Sequence, residues 1–343
     1  MGFRQPLRSV LAGCAMFSTF NGFEALGAEN FYQGKPIDVV IGYSAGATYD
    51  IYARIVARHI SKHVPGNPRL VPRNLAGAGS RTALNYVYQI GPQDGTVIGT
   101  ADQSLAVEQA MGDKKLVIDV NRLFWIGNPV VSNNTTVAWH TSGVRTIADV
   151  QAREVSVGAT GASTSSQYPM AMNSLLGTKF KVILGYPGAN DINLAMERGE
   201  VAAKGSDSWA AWKATRPEWL KEKKINILVQ IGLTASPEMP GVPLLMDLGK
   251  TPEDREVLKL LSSSVGVGRP LFVGPQVPTD RVAALRDAFD KTMADPEFIA
   301  DARDLKLDIS PVSGRDVQKL VSDIVSTPEN VASRLKGIIG LSE

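Results

Sequence analysis

The chain has 343 residues, of which 44% are hydrophobic, which is enough to bury one large core or two ordinary ones. We expect two lobes. Its 36 basic and 34 acidic residues are interspersed and leave a net charge of +2, so no basic stripe indicates nucleic-acid binding. Beyond the N-terminus, no stretch approaches the ~20 apolar residues of a membrane span.

The first 28 residues have the pattern of a signal peptide. Arg4 and Arg8 precede an apolar run over 10–20, and small residues follow up to Ala28. We therefore predict an exported protein that matures near residue 28 or 29.

Cys14, the only cysteine, lies inside this segment, so the mature chain is expected to have no thiol and no disulfide. Residues 11–14 also match a lipoprotein processing site. Only residues 9–13 separate that site from Arg8. This is fewer than the ~7 residues that the apolar region of a signal peptide needs. We expect no lipid anchor.

The first unit of the mature chain is a strand, a turn and a helix. Residues 37–41 are apolar and mostly β-branched, 42–48 are mainly small, and 50–62 have helical periodicity with an apolar stripe that includes Tyr52 and Val56. A strand that turns through glycine into a helix leaves amides unpaired at the positive end of the helix dipole. This unit therefore predicts an anion site.

Similar units follow along the chain. Strands are predicted at 69–73, 96–100, 124–126, 135–139, 155–158, 182–184, 201–204, 225–231 and 271–273, and helices at 82–90, 147–152, 166–176, 190–198, 209–223, 253–261 and through most of the chain from 279. Because strands alternate with helices, the pattern predicts an α/β fold with largely parallel sheets.

Residues 42–46 match the G-x-S-x-G motif of serine hydrolases, with a strand before and a helix after. Such enzymes take the base for the serine from a histidine late in the chain. The three histidines here are His59, His63 and His140, and none lies late in the chain, in its last 203 residues. Because of the motif, an exported serine esterase that uses Ser44 is kept as the alternative function. Because the late histidine is missing, we prefer a protein that is not an enzyme.

Metal and nucleotide sites have less support. His59 and His63 are spaced i, i+4, but neither an HExxH glutamate nor an obvious third ligand accompanies them. The glycines do not fit the dinucleotide or P-loop spacings either. We expect no metal and no cofactor.

Three turns of small residues remain, at 44–48, 77–80 and 159–166, each before a helix. Their hydroxyls and bare amides suit a carboxylate held without a strong basic cluster. Turns of this kind are also common in any α/β protein, so they do not identify a ligand.

Several short motifs follow one another along the chain. They are K-P-I at 35–37, G-Y-S-A-G-A-T-Y-D at 42–50, A-R at 53–54, N-L-A-G-A-G-S at 74–80, D-G-T-V-I at 94–98, T-G-A-S-T-S-S-Q at 160–167, Y-P-G at 186–188 and A-D-P-E-F at 294–298. Together they resemble the Bug family, the periplasmic solute receptors of tripartite tricarboxylate transporters. The sequence departs from the family pattern where Ala47 and Ser163 replace glycines and Gln167 replaces the usual histidine.

The resemblance implies a two-lobed, type II-like periplasmic-binding-protein fold, with two mixed, mostly parallel sheets, flanking helices and a cleft between the lobes. Crossings near Pro129 and Leu228 would make lobe one from 29–128 and 230–343, and lobe two from 129–229. It also implies a monomeric periplasmic receptor that binds a small di- or tricarboxylate or aromatic acid and delivers it to membrane transporter subunits.

By the same resemblance, the carboxylate lies between two turns of lobe one and is completed by lobe two. The implied residues are Ala45, Gly46, Ala47 and Thr48, then Ala78, Gly79 and Ser80, and in lobe two Gly161, Ala162, Ser163, Thr164 and Asp207. Four aromatic residues either line the pocket, which would suit a bulky or aromatic acid, or pack in the core: Tyr43, Tyr49, Tyr186 and Trp209.

Overall fold

A computed structural model describes residues 1–2 and 31–340 of the chain. Apart from its first two residues, the predicted signal peptide, including Cys14, lies outside these ranges. Within them, no helix combines the length and apolar character that crossing a membrane requires.

The first of two sheets has six strands in the order β11-β4-β10-β3-β1-β2. β1 is parallel to β2 and to β3, whereas β10 is antiparallel to β3 and β4. The strands are β1 Ile37–Ile41, β2 Leu70–Asn74, β3 Val97–Thr100, β4 Phe124–Asn128, β10 Leu271–Val273 and β11 Val312–Ser313.

The second sheet has five strands in the order β7-β6-β8-β5-β9. β6 is parallel to β7 and β8, and β5 is antiparallel to β8 and β9. The strands are β5 Asn134–Trp139, β6 Val155–Gly158, β7 Phe180–Ile183, β8 Ala203–Ser208 and β9 Ile225–Ile231. We call the first sheet with the helices around it lobe 1, and the second sheet with its helices lobe 2.

Thirteen α-helices are described within residues 31–340. They are α1 Thr48–Ile60, α2 Arg81–Asn85, α3 Leu105–Ala110, α4 Ile147–Ala152, α5 Thr164–Leu176, α6 Ala189–Glu197, α7 Trp209–Thr215, α8 Pro217–Lys221, α9 Pro252–Ser263, α10 Thr279–Met293, α11 Pro296–Asp304, α12 Gly314–Val325 and α13 Glu329–Ile338.

The first strand and helix form as their patterns predict. Ile37 and Ile41 of β1 are fully buried, and α1 buries Tyr52 and Val56 on one face while Arg58 is exposed. Burial of an apolar side chain of this size contributes about 1.5–3 kcal/mol. This packing fixes the start of α1 at the end of β1.

Three elements differ from the sequence-based expectation. The strand predicted at 201–204 lies at Ala203–Ser208, and neither the short helix α3 nor the two-residue strand β11 was predicted. All six residues of β8 are buried although most are polar, so the strand has no apolar run to reveal it.

The fold class is confirmed, since two mixed sheets with flanking helices form two lobes. The sheets are not mostly parallel as expected, because five of the nine strand pairings described are antiparallel. The chain passes from the first sheet to the second between Asn128 and Asn134, and from the second back toward the first after Ile231. The carboxyl ends of β1 and β3 in lobe 1 and of β6 and β8 in lobe 2 lead into residues that meet between the lobes.

Candidate functional site

A cavity lies between the two lobes. The volume open to the centre of a water-sized sphere is about 50 Å³, which is room for a few water molecules. Its wall combines aromatic, hydroxyl and charged side chains from both lobes: Tyr43, Ala47, Thr48, Tyr49, Asp102, Gln103, Asn134, Thr160, Ser163, Thr164, Ser165, Ala189, Ile192, Lys204, Ser206, Asp207 and Arg269.

The first predicted turn is divided between the cavity and the surface. Tyr43, Ala47 and Thr48 line the cavity, whereas Ala45 and Gly46 are exposed. The Gly46 amide donates to the Asp50 carboxylate at 2.8 Å, so it is already occupied. No side chain caps the N-terminus of α1, which leaves the amides of its first turn and the positive end of its dipole at the cavity wall.

The second predicted turn does not line the cavity but packs against lobe 2. A Cβ on Gly79 would overlap the Ala162 carbonyl oxygen, and one on Gly161 would lie 2.9 Å from the Gly79 amide nitrogen. Ala78 lies in the same contact, and the Ser80 hydroxyl accepts from the Asp102 amide at 2.8 Å. These glycines therefore allow the two lobes to close backbone to backbone.

The predicted turn of lobe 2 is also divided. Ser163 and Thr164 line the cavity, and Ser163 caps α5 by accepting from the Ser165 amide at 3.3 Å. Tyr186 is half-buried beside Gly158 and does not line the cavity. Trp209 does not line it either, since its ring nitrogen donates to Glu238 at 2.8 Å.

Asp207, the last predicted ligand residue, lines the cavity with a cation beside it. The Lys204 ammonium donates to the Asp207 carboxylate at 2.6 Å, to Asn193 Oδ1 at 2.9 Å and to the Ala189 carbonyl at 3.2 Å. Burial lowers the pKa of Lys204, and the Asp207 charge opposes this shift. All three ammonium protons therefore have acceptors within lobe 2.

Arg269 is the cavity residue that sequence reasoning missed. It is 6% exposed, and its guanidinium donates to Ser208 Oγ at 2.8 Å and to Gln103 Oε1 at 3.3 Å. The guanidinium carbon also lies 4.7 Å from the centre of the Tyr49 ring. Arg269 follows Gly268 just before β10, a position without a motif, so no sequence pattern singles it out.

Arg269 has no acidic partner among the described residues, and its Nε has no hydrogen-bond partner. A buried charge that lacks its counterpart costs about 3–5 kcal/mol. An arginine in this setting is suited to an anion, because its planar fork matches a carboxylate.

Two further atoms of the cavity-lining side chains are without partners. Gln103 Nε2 is a donor and Asn134 Oδ1 an acceptor, and both residues are buried. Buried polar groups in folded proteins nearly always have partners, so an unpaired group needs a specific explanation. Together with Arg269, these atoms mark the cavity as a polar site that a ligand would complete.

Asp102 connects the lobes beside the cavity. Its carboxylate accepts from the Tyr43 hydroxyl at 2.7 Å, from the Ser104 amide at 2.9 Å and from the Thr164 amide at 3.3 Å. Burial, followed by the charge of Asp102, raises the pKa of Tyr43, so its hydroxyl stays protonated and donates.

A second interlobe contact involves Gln167, which stands where the Bug pattern has histidine. Its amide nitrogen donates to Glu108 Oε1 at 3.0 Å, and Glu108 also pairs with Arg81 at 2.8 Å. Arg81 pairs with Asp113 as well. Burial raises the pKa of Glu108, although the Arg81 charge opposes this. Gln167 therefore joins the lobes outside the cavity.

Ser44 lies in a contact between the lobes. Its hydroxyl donates to Asp191 Oδ2 at 3.0 Å, and a Cβ on Gly188 would overlap its oxygen. His59 and His63 bond to Asp301 and Asp295, each at 2.8 Å. Neither of these imidazoles is therefore available to Ser44 as a base.

His140 packs against the Trp139 ring with centroids 4.9 Å apart. In residues 1–2 and 31–340, no three His, Cys, Asp or Glu side chains cluster in a way that could hold a metal ion. His59 and His63 are instead paired with separate carboxylates.

Comparisons with known proteins extend these observations. No family model matches the chain. It is 26% identical over 299 residues to the "UPF0065 protein in gbd 5'region" of Cupriavidus necator, and the match covers 84% of each chain.

Several solved structures have the same fold. The periplasmic binding protein BugD has a TM-score of 0.70 at 16% identity, covering 90% of this chain and 98% of BugD. MatC from Rhodopseudomonas palustris with bound malate has a TM-score of 0.69 at 18% identity, covering 87% and 99% of the two chains. R. palustris Rpa4515 with adipate has a TM-score of 0.67 at 18% identity, covering 89% and 98%. The resemblance to the Bug family is confirmed by these comparisons.

Proposed function

We propose, from its resemblance to the Bug receptors, that this chain is a non-catalytic periplasmic receptor that binds a small organic carboxylate between its lobes. It would deliver the acid to the membrane subunits of a tripartite tricarboxylate-type transporter. In this proposal lobe one is 29–128 with 230–343, lobe two is 129–229, and the protein acts as a monomer.

The observation that carries the proposal is the buried Arg269 guanidinium in the cavity wall without an acidic partner. A ligand carboxylate would supply the missing negative charge in a pairing with two parallel hydrogen bonds. The uncapped start of α1, with Thr48 and Tyr49 in the same wall, would stabilise that charge further. The carboxylates in the MatC and Rpa4515 structures agree with this class of ligand.

A hinge motion would admit the ligand. The lobes are held together around the cavity by several hydrogen bonds, among them Asp102 to Thr164 at 3.3 Å and Asn190 to the Gly46 carbonyl at 2.7 Å. Separation of the lobes would break these bonds, and closure around the acid would restore them. Binding proteins of two lobes commonly close in this way.

The test is calorimetry and thermal unfolding with a panel of mono-, di-, tri- and aromatic acids. An acid at a hundredfold excess over its Kd is expected to raise the unfolding free energy by about 2.7 kcal/mol. If no acid of the panel produces heat or a shift in Tm, the receptor proposal fails.

A further inference from the structure

We infer that the cavity selects a small monocarboxylate bearing a hydrogen-bond donor, a hydroxyl or an ammonium group, over di- and tricarboxylates. The inference rests on the proposed function and narrows its ligand. It is drawn from the juxtaposition in one cavity wall of a single uncommitted cation, one acid without an ion pair and an unpaired acceptor.

Only one cation of the wall is available to an acid. Lys204 is also in the wall, but its three donors are committed to Asp207, Asn193 and the Ala189 carbonyl. Arg269 is the cation that forms no ion pair with an acid within residues 31–340. One cation matches one ligand carboxylate.

A second ligand carboxylate would meet the acidic side chain of Asp102. Asp102 lines the cavity, is 3% exposed, and forms no ion pair with a described Lys or Arg, whereas the charge of Asp207 is balanced by Lys204. Like charges brought together in a buried site repel strongly because little water screens them. The wall therefore opposes a second negative charge.

The unpaired acceptor points to a donor on the ligand. Asn134 donates from Nδ2 to the Tyr168 hydroxyl at 3.2 Å, whereas its Oδ1 has no partner. A site that is built to bond a ligand hydroxyl or amine rejects the analogue without it, because its own polar group is then left unpaired. An ammonium group would also suit the unpaired charge of Asp102, so the two donor types are separate arms of the test.

The cavity is also small. About 50 Å³ open to a water-sized sphere holds roughly three to five water molecules at 10–15 Å³ each. That space suits an acid of a few carbon atoms, and a tricarboxylate or an aromatic acid would require the lobes to close less far.

The experiment measures calorimetric Kd values for matched acids on the purified protein after exhaustive dialysis. Propionate, lactate and alanine share a carbon skeleton and differ in the donor, while malonate, malate and citrate add carboxylates. We expect lactate or alanine to bind at least tenfold more tightly than propionate, and at least tenfold more tightly than malate. Whichever of lactate and alanine binds more tightly identifies the donor as a hydroxyl or an ammonium group.

Two outcomes overturn the inference and leave the proposed function intact: malate or citrate binding as tightly as lactate and alanine, or propionate binding as tightly as both. If none of the six acids binds, the inference fails for ligands of this size. In that case, binding of a longer acid such as adipate would still support the receptor proposal. If adipate does not bind either, the receptor proposal fails as well.

Two variants connect the result to the named residues. Asn134→Ala is expected to bring lactate and alanine to within about threefold of propionate, and Asp102→Asn to reduce the discrimination against malate. Arg145→Gln, at an exposed position in lobe 2, is the control and should leave both ratios unchanged. Unfolding curves establish that each variant folds. A well-folded Asn134→Ala that keeps the full preference would contradict the role of Asn134.

Discussion

The Asp102 carboxylate accepts a hydrogen bond from the Thr164 backbone amide at 3.3 Å, so a side chain after β3 lies against the first residue of α5 in the other lobe. An amide at a helix start is a favourable place for a negative charge. In this protein an internal acid takes that place. In the proposed receptor, the ligand carboxylate is then left to Arg269 and the uncapped start of α1.

Arg269→Met tests the anchor of the proposed ligand. Loss of charged hydrogen bonds worth about 1.5–3 kcal/mol should weaken binding of the tightest acid of the panel by roughly 10- to 150-fold. The unfolding free energy without ligand should stay level or rise, because an unmatched buried charge is replaced by an apolar chain of similar length. Calorimetry and urea unfolding measure the two effects.

Arg145→Gln serves as the control for this pair of measurements, since that arginine is exposed and does not line the cavity. A large loss of stability in Arg269→Met, with binding retained, would mean that the arginine is structural.

Gly79→Ala tests the contact between the lobes. Gly79 has φ +65°, and an added Cβ would lie 2.8 Å from the Ala162 carbonyl carbon, closer than carbon atoms approach. We expect the lobes to close less fully, with a larger radius of gyration in X-ray scattering at saturating ligand and weaker acid binding. The left-handed backbone itself costs an alanine about 1–2 kcal/mol.

Gly177→Ala separates these two costs. Gly177 has φ +75° at the end of α5, but nothing lies within 4 Å of an added Cβ. It should lose similar stability and keep both closure and affinity. Equal scattering curves for the two variants would argue against a closing contact at Gly79.

Ser44→Ala and Asp191→Ala test whether Ser44 joins the lobes or attacks an ester. Their hydrogen bond of 3.0 Å spans the cleft, so each substitution should weaken binding of the tightest acid by about 0.5–1.5 kcal/mol. The double variant should lose little more than either single one, because both remove the same bond.

The wild-type protein should neither hydrolyse a p-nitrophenyl ester nor react at Ser44 with a fluorophosphonate. Ester turnover that disappears in Ser44→Ala would instead establish the exported esterase.

Asp295→Asn tests a pH-dependent clamp between the 3-10 turn Ser61–His63, which directly follows α1, and the start of α11. The Asp295 carboxylate accepts from Lys62 and from His63 and also caps α11, and these bonds, that of Lys62 first, hold its pKa below the ordinary range. A folded-state pKa that is depressed adds stability above the unfolded pKa of about 3.9, and that stability is lost as pH falls through the folded pKa.

The difference in unfolding free energy between wild type and Asp295→Asn should therefore be largest near neutral pH and shrink below about pH 4. Urea unfolding across this range measures it. Asp323→Asn is the matched control, since its pair with Lys319 is exposed and should contribute less than about 1 kcal/mol. A difference that does not change with pH would rule out the clamp.

The sequence by itself determined the fold class and part of the cavity wall. Alternating apolar segments and small-residue turns are local patterns, and they placed β1, α1 and the turns that contain Thr48 and Thr164. It placed β8 two residues too early and ended it four residues too soon, because Lys204 and Asp207 are buried as a pair and leave no apolar run.

Only the tertiary structure decided which groups meet. Gln103 and Arg269 are 166 positions apart and lie in one cavity wall. Gly79, which was predicted to bind the ligand, does not line the cavity, because its backbone packs against lobe 2. Whether a buried charge is paired depends on neighbours from distant strands and from the other lobe. Local sequence determines neither the neighbours from distant strands nor those from the other lobe. Both kinds of neighbour are brought together only when the chain folds and the lobes close.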